Sequence, residues 1–126
     1  MVEWAFDARD AQAARRTRID FVAYLQRECG DVDVSSAELV LGELIGNVAR
    51  YAPGPAHVVA DVTDSFVSIL VIDRGTGFAP SPRRAPELLA EHGRGLLIVE
   101  ALAAEFAVEC DGGCRVRALV PVARAY

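Results

Sequence analysis

Glu43 and Asn47 stand four residues apart, one helical turn, so a helix through them projects both side chains from the same face. An asparagine carbonyl is a hard, neutral oxygen donor, suited to one position of an octahedral Mg²⁺ whose other positions go to phosphates and water. A glutamate one turn before it can accept a proton from an incoming hydroxyl or water. Further on, Asp73 opens the segment Asp73-x-Gly75-x-Gly77 behind an apolar run. A carboxylate held at a strand end can accept a hydrogen bond from an exocyclic amine such as that of adenine, and the two glycines let a flat ring approach the backbone. Gly93-x-Gly95 precedes a stretch of helical spacing and leaves the first amides of that helix bare for anionic phosphates, which the helix dipole also favours. Each segment alone has an ordinary reading as a surface pair, a turn or a loop. Together, in this order, they are hard to dismiss.

These side chains need elements to hold them. Ser35 as N-cap with Glu38 three residues on makes a capping box, Val34 with Leu39 makes a hydrophobic staple, and Pro53-Gly54-Pro55 must end the helix near Tyr51. At about 100° per residue, Ala37, Leu41, Leu44 and Val48 share the core side. Glu43, Asn47 and Arg50 form a polar stripe more than a right angle away, bordered by Gly42 and Gly46. Upstream, residues 2–6 alternate as a short strand; from Asp10 to Cys29, residues Ala14, Phe21, Val22, Leu25 and Cys29 recur as an amphipathic helix that Gly30 stops. Residues 58–63 and 66–72 are β-branched runs separated only by Asp64-Ser65 and read as a hairpin, the second run nearly all apolar and therefore central. A third helix over 96–104 and strands over 106–110 and 114–120, around Asp111-Gly112-Gly113, complete the order β-α-α-β-β-α-β-β. That order predicts an α+β, two-layer sandwich: a mostly antiparallel mixed sheet covered on one face by about three helices.

With 126 residues, 52% of them apolar and 25% charged, the chain fits a single domain spanning 1–126 with a real core. Its net charge is −5, and no basic run exceeds Arg15-Arg16 or Arg83-Arg84, which argues against a nucleic-acid backbone as partner. No apolar stretch approaches the roughly 20 residues needed to cross a bilayer, and the first residues lack a secretory pattern, so a cytoplasmic protein is expected. Cys110 and Cys114 can face each other across a hairpin or be two small residues in strands; three cysteines in a cytosolic chain favour the second reading. His57 and His92 are not at ligand spacing from a cysteine or from each other, so zinc is not expected and any metal must be held by oxygen.

Glu43-Leu-Ile-Gly-Asn47, Asp73-Arg-Gly-Thr-Gly77 and His92-Gly-Arg-Gly-Leu96 resemble the N, G1 and G2 boxes of the GHKL, or Bergerat-type, ATP-binding fold shared by gyrase, histidine kinases and MutL. Within that fold, the short chain and the Gly-Arg-Gly-Leu box before Leu97-Ile-Val-Glu-Ala-Leu102 look most like the stand-alone anti-sigma-factor serine kinases of bacteria. The resemblance implies that ATP and Mg²⁺ are bound, that Asn47 coordinates the ion, that Glu43 is the catalytic base and that Asp73 takes the adenine amine. It implies that Gly75, Gly77, Gly93, Arg94, Gly95 and Leu96 line the nucleotide and that Arg50 contacts phosphate. It further implies phosphorylation of a serine on a STAS-type anti-anti-sigma partner, sequestration of a sigma factor in many members, no nucleic-acid or membrane partner, and leaves a homodimer open. Residues 78–92 would form a lid, from which Arg83 and Arg84 reach the γ-phosphate or a partner's acidic surface. Two positions depart from the pattern: Tyr51, where these kinases often carry histidine, and Gly46, where a larger residue is usual. Two other readings stand beside this one. One is a nucleotide-sensing module that holds a partner without phosphorylating it. The other is a catalytic domain cut from a histidine kinase, which needs a phospho-acceptor histidine that nothing upstream of Val2 supplies.

Overall fold

Every second residue is buried along two of the inner strands: Ala56, Val58 and Ala60 in β2 (Pro55–Val62), and Val67, Ile69, Val71 and Asp73 in β3 (Phe66–Asp73). That period of two marks strands with one covered face. The computed structural model describes residues 1–30, 32–63, 65–74 and 94–122, with the backbone alone for 94 and 95. The remaining elements are β1 (Val2–Asp7), α1 (Ala11–Cys29), α2 (Ser35–Tyr51), α3 (Arg94–Leu102), β4 (Glu105–Cys110) and β5 (Cys114–Pro121).

The five strands form one sheet in the order β1-β2-β3-β5-β4, with β3 at its centre as the apolar run predicts. All four described pairings are antiparallel, so the sheet is not mixed as expected. The reason is topological. The chain passes through α3 to the sheet edge, and the β4–β5 hairpin then turns back beside β3, so β5 separates β3 from β4, the strand that runs parallel to it. Both pairings of the central strand keep inward residues in line: Val58 of β2 pairs with Val71, and Ile69 with Ala118 of β5.

Helix α1 packs on β1 and β2, α2 on β3 and β5, and α3 on β4 and β5. Asp10 caps α1, its carboxylate accepting from the Gln12 and Ala13 amides at 3.0 and 3.2 Å, and Gly30 ends it at φ +67°, a conformation that favours glycine. Phe21 and Leu25 from this helix are wholly buried, and Trp4 meets Phe21 and Tyr24 edge-on at 6.2 and 6.1 Å.

The start of α2 differs from the sequence expectation. Its N-cap is Val34, and Ser35 makes no capping bond. Asp33 intervenes: its carboxylate accepts from the Ser35 amide at 2.9 Å and from the Ser35 hydroxyl, which commits that hydroxyl as a donor. These bonds hold the Asp33 carboxyl below its ordinary range. The Glu38 amide turns to the Val34 carbonyl at 2.9 Å. Leu39 is 46% exposed, so no hydrophobic staple forms. The core face is as predicted and wider, since Val40 and Ile45 are buried beside Ala37, Leu41, Leu44 and Val48. Helix α3 runs two residues earlier than expected at both ends. It stops because the Ala104 amide leaves the helix for the Leu119 carbonyl of β5, at 2.7 Å.

Candidate functional site

Burial of six apolar residues of α2 fixes which way its opposite stripe points. Glu43 and Asn47 are half-buried on that stripe and Arg50 is exposed beyond them. The Asn47 Nδ2 atom is buried with no hydrogen-bond partner among the described residues. Leaving a buried amide unmet costs about 1–3 kcal/mol, so a ligand that completes it is favoured. Rotation of the amide exchanges nitrogen and oxygen, and the same position then offers a carbonyl to a cation. These residues therefore fit a Mg²⁺ held by one neutral oxygen, with phosphates and water as its other ligands. Arg50 lies with its guanidinium 5.8 Å from the Tyr51 ring centroid, a cation–π contact at the helix end.

Arg18, which sequence reasoning missed, lies across the groove between α1 and α2: its Nε would stand 3.6 Å from a Cβ built on Gly42. The signal was present in Gly42 itself, because a glycine inside a helix costs roughly 1 kcal/mol and implies something close above it. The result is a cation one residue from Glu43.

Asp73 ends β3 opposite Ala56 and is buried, with 9% of its surface exposed. The Cys114 amide donates to its Oδ1 at 3.2 Å, across from β5. Behind that bond is a tight turn. Cys110 and Cys114 are joined as a disulfide, which overturns their reading as two separate small residues. The physical reason is register: a three-residue turn sets the two cysteines directly opposite each other. Gly113 packs so closely on the end of β3 that a Cβ there would overlap the Asp73 carbonyl oxygen. Around this junction is an open cleft of about 690 Å³, lined by His57, Ile72, Asp73, Arg74 and residues 109–115.

On the far side of α2, α3 begins at Arg94, so Arg94 and Gly95 occupy its first turn, where helix amides are unpaired. Leu96 is 1% exposed and Val99 fully buried, which anchors that turn to the core. The structure thus brings Glu43, Asn47, Asp73 and the start of α3 onto three elements that pack together, α2 touching both β3 and α3. Gly75, Gly77, Gly93 and the expected lid over 78–92, with Arg83 and Arg84, lie outside the described residues.

Known proteins share this architecture. The family model of the histidine kinase-like ATPase domain matches residues 6–119. The chain belongs to that family. This histidine kinase-like ATPase domain is accordingly an ATP-binding module of the GHKL fold. Its fold is similar to that of the histidine kinase AdeS of Acinetobacter baumannii, with a TM-score of 0.54 and 18% identity, covering 96% of this chain and 68% of that one. No curated protein matches it. Among the described residues, no helix of the ATPase domain is long and apolar enough to cross a membrane, and no group of three or more His, Cys, Asp or Glu is placed to hold a metal.

Proposed function

We propose that this ATPase domain is a cytoplasmic, ATP- and Mg²⁺-dependent protein serine kinase of the anti-sigma-factor type. Its substrate is a serine on a STAS-type anti-anti-sigma protein, and it sequesters a sigma factor. The observation that carries the reading is the polar stripe of α2, with half-buried Glu43 one turn before an Asn47 whose buried Nδ2 has no partner among the described residues.

Asp73 accepts from the exocyclic amine of adenine. Guanine presents a carbonyl at that place, and two acceptors facing each other in a buried site are both left unpaired, so ATP is preferred over GTP. The unpaired amides of Arg94 and Gly95 at the start of α3 receive phosphate oxygens, with Gly75, Gly77 and Gly93 allowing close approach and Arg50 adding a cation. Asn47 holds Mg²⁺ through its side-chain carbonyl, and the ion when bound neutralises charge on the phosphates. Glu43 accepts the proton of the attacking serine hydroxyl.

The test is transfer of labelled γ-phosphate to serine-bearing STAS partners, paired with ATP titration. Wild type should label the serine. Glu43→Gln should bind ATP with nearly unchanged affinity yet transfer phosphate roughly 10²- to 10⁴-fold more slowly, because a base acts in the transition state and contributes little to holding ATP. A parallel fall in binding and transfer would make Glu43 structural. Wild type that binds ATP and labels no partner would make the chain a nucleotide-sensing module.

A further inference from the structure

The turn that closes on Asp73 contains a reversible covalent bond. Cys110 and Cys114 are the last opposed pair of the β4–β5 ladder and are joined as a disulfide, and both are half-buried, within reach of a small thiol. Within the turn, the Asp111 amide donates to the Gly113 carbonyl at 2.8 Å. Two contacts tie the turn to the site. The Cys114 amide donates to Asp73 Oδ1 at 3.2 Å, and Gly113 has no room for a side chain against the backbone of Asp73 and Arg74. Cys114 is therefore both one half of the disulfide and the donor to the carboxylate assigned to adenine.

We propose that Cys110 and Cys114 form a thiol–disulfide switch that positions Asp73 and so sets the affinity of the domain for ATP. The inference rests on the nucleotide reading of Asp73 given above. A loop of only three intervening residues is among the least effective for stabilising a fold by cross-linking, because so short a loop loses little unfolded-chain entropy when closed. Its placement against Asp73 gives it a different use. In the bonded form, the two strand ends are fixed to each other and the Cys114 amide is held toward the Asp73 carboxylate.

Reduction by a dithiol opens the bond. One thiolate of the reductant attacks a sulfur, the S–S bond breaks and a mixed disulfide forms; the second thiol of the reductant then displaces the remaining protein sulfur. Two electrons and two protons pass to the protein, which ends with Cys110 and Cys114 as thiols, and the reductant ends as a disulfide. The turn is then held by its hydrogen bonds alone, and the Cys114 amide is free to move away from Asp73. Cys110 and Cys114 act as positioning residues, through Asp73.

The experiment uses the full chain, oxidised or treated with dithiothreitol, with thiols counted by alkylation and mass spectrometry. ATP and GTP affinities are then measured by isothermal titration in the presence of Mg²⁺. The oxidised form should bind ATP about three- to tenfold more tightly, the yield of one hydrogen bond, and the preference for ATP over GTP should fall by the same factor on reduction and return on reoxidation. Cys110→Ser/Cys114→Ser should behave as the reduced form under both conditions, with Cys110→Ala/Cys114→Ala in its place if the serine pair does not fold. Cys29→Ser should keep the response. Equal ATP affinity in the two redox states overturns the proposal, as does a redox response that survives in the double variant. Equal weakening of ATP and GTP, with the preference unchanged, also overturns it, since that marks a staple with no action on Asp73. Absence of ATP binding in both forms overturns the nucleotide reading of Asp73, and this inference with it.

Discussion

Gly113→Ala puts a methyl group where the structure has the backbone of β3: the new Cβ would overlap the Asp73 carbonyl oxygen and stand 2.9 and 3.0 Å from the carbonyl carbon and Cα of Arg74. None of these atoms can rotate out of the way, so the turn and the strand end must separate. Overpacking of this kind costs about 1–3 kcal/mol. For a domain of 126 residues, with an unfolding entropy of roughly 2.1 cal/mol/K per residue, that corresponds to a fall in Tm of about 4–11 °C. The separation also stretches the 3.2 Å bond from the Cys114 amide to Asp73, so ATP affinity should fall about tenfold. Gly112 supplies the control. It lies at φ +71° with nothing within 4 Å, so alanine there meets no atom and costs only the conformational strain of that region, about 1–2 kcal/mol. Gly112→Ala should therefore melt earlier than wild type and yet bind ATP within about twofold of it. Calorimetric unfolding and isothermal titration of both variants decide the matter. If Gly113→Ala leaves ATP affinity untouched, or if the two variants weaken ATP equally, the close approach of the turn to Asp73 does not position the carboxylate and the reasoning fails.

Asn47→Ala removes a side chain whose buried Nδ2 has no partner among the described residues, so Tm should change little, whereas the part of ATP affinity that depends on Mg²⁺ should vanish in titrations with and without the ion. Asp10→Ala removes the acceptor for two amides of α1 and should cost about 1 kcal/mol, a Tm lower by about 4 °C, with nucleotide binding unchanged. The hydrogen bonds from Arg9 hold the Asp7 carboxyl down from 3.8 to about 2. Its folded value lies below its unfolded one, so its contribution to stability is complete above about pH 4 and is lost as pH falls toward 2. An NMR titration should place that carboxyl near 2 in wild type and higher in Arg9→Ala, which loses the guanidinium but keeps the residue 9 amide; the same value in both would remove the ion pair from the account.

The elements most legible in the sequence were those whose pattern is local. The β-branched apolar run of β3, the helical spacing of Phe21 and Leu25, and the stop at Gly30 each express a rule that acts within a few residues, and each element formed where the pattern put it. The helix that carries Glu43 and Asn47 was legible for the same reason. Its start differs because Asp33, two residues before the expected cap, accepts from the Ser35 amide and hydroxyl, and Val34 takes the N-cap position. The mostly antiparallel sheet was legible from the element order, but the strand order that makes every described pairing antiparallel, and the Asp73–Cys114 bond, depend on pairings across the chain, which no local spacing reports. The disulfide lies between these cases. The turn Asp111-Gly112-Gly113 sets Cys110 and Cys114 opposite each other, a register open in the sequence, whereas the odd cysteine count favours two separate small residues.

Helix α2 breaks local rules on one face and keeps them on the other. Its buried face is an ordinary apolar stripe, while the opposite side combines two interior glycines and an amide without a partner among the described residues, in a helix with no side-chain cap. The glycines alone cost roughly 1 kcal/mol each relative to alanine. Gly42 has a packing reason, since Arg18 lies against it; Gly46 has nothing within 4 Å among the described residues. Burial of Val40, Leu41, Leu44 and Ile45 against the sheet and α3 offsets those losses and lets the helix persist. Local inconsistency confined to one face of an otherwise consistent element is the mark of a site whose requirements compete with stability. In this domain that face is the one bearing Glu43 and Asn47. The placement of these costs marks that side of α2 as the candidate site, independently of any sequence motif.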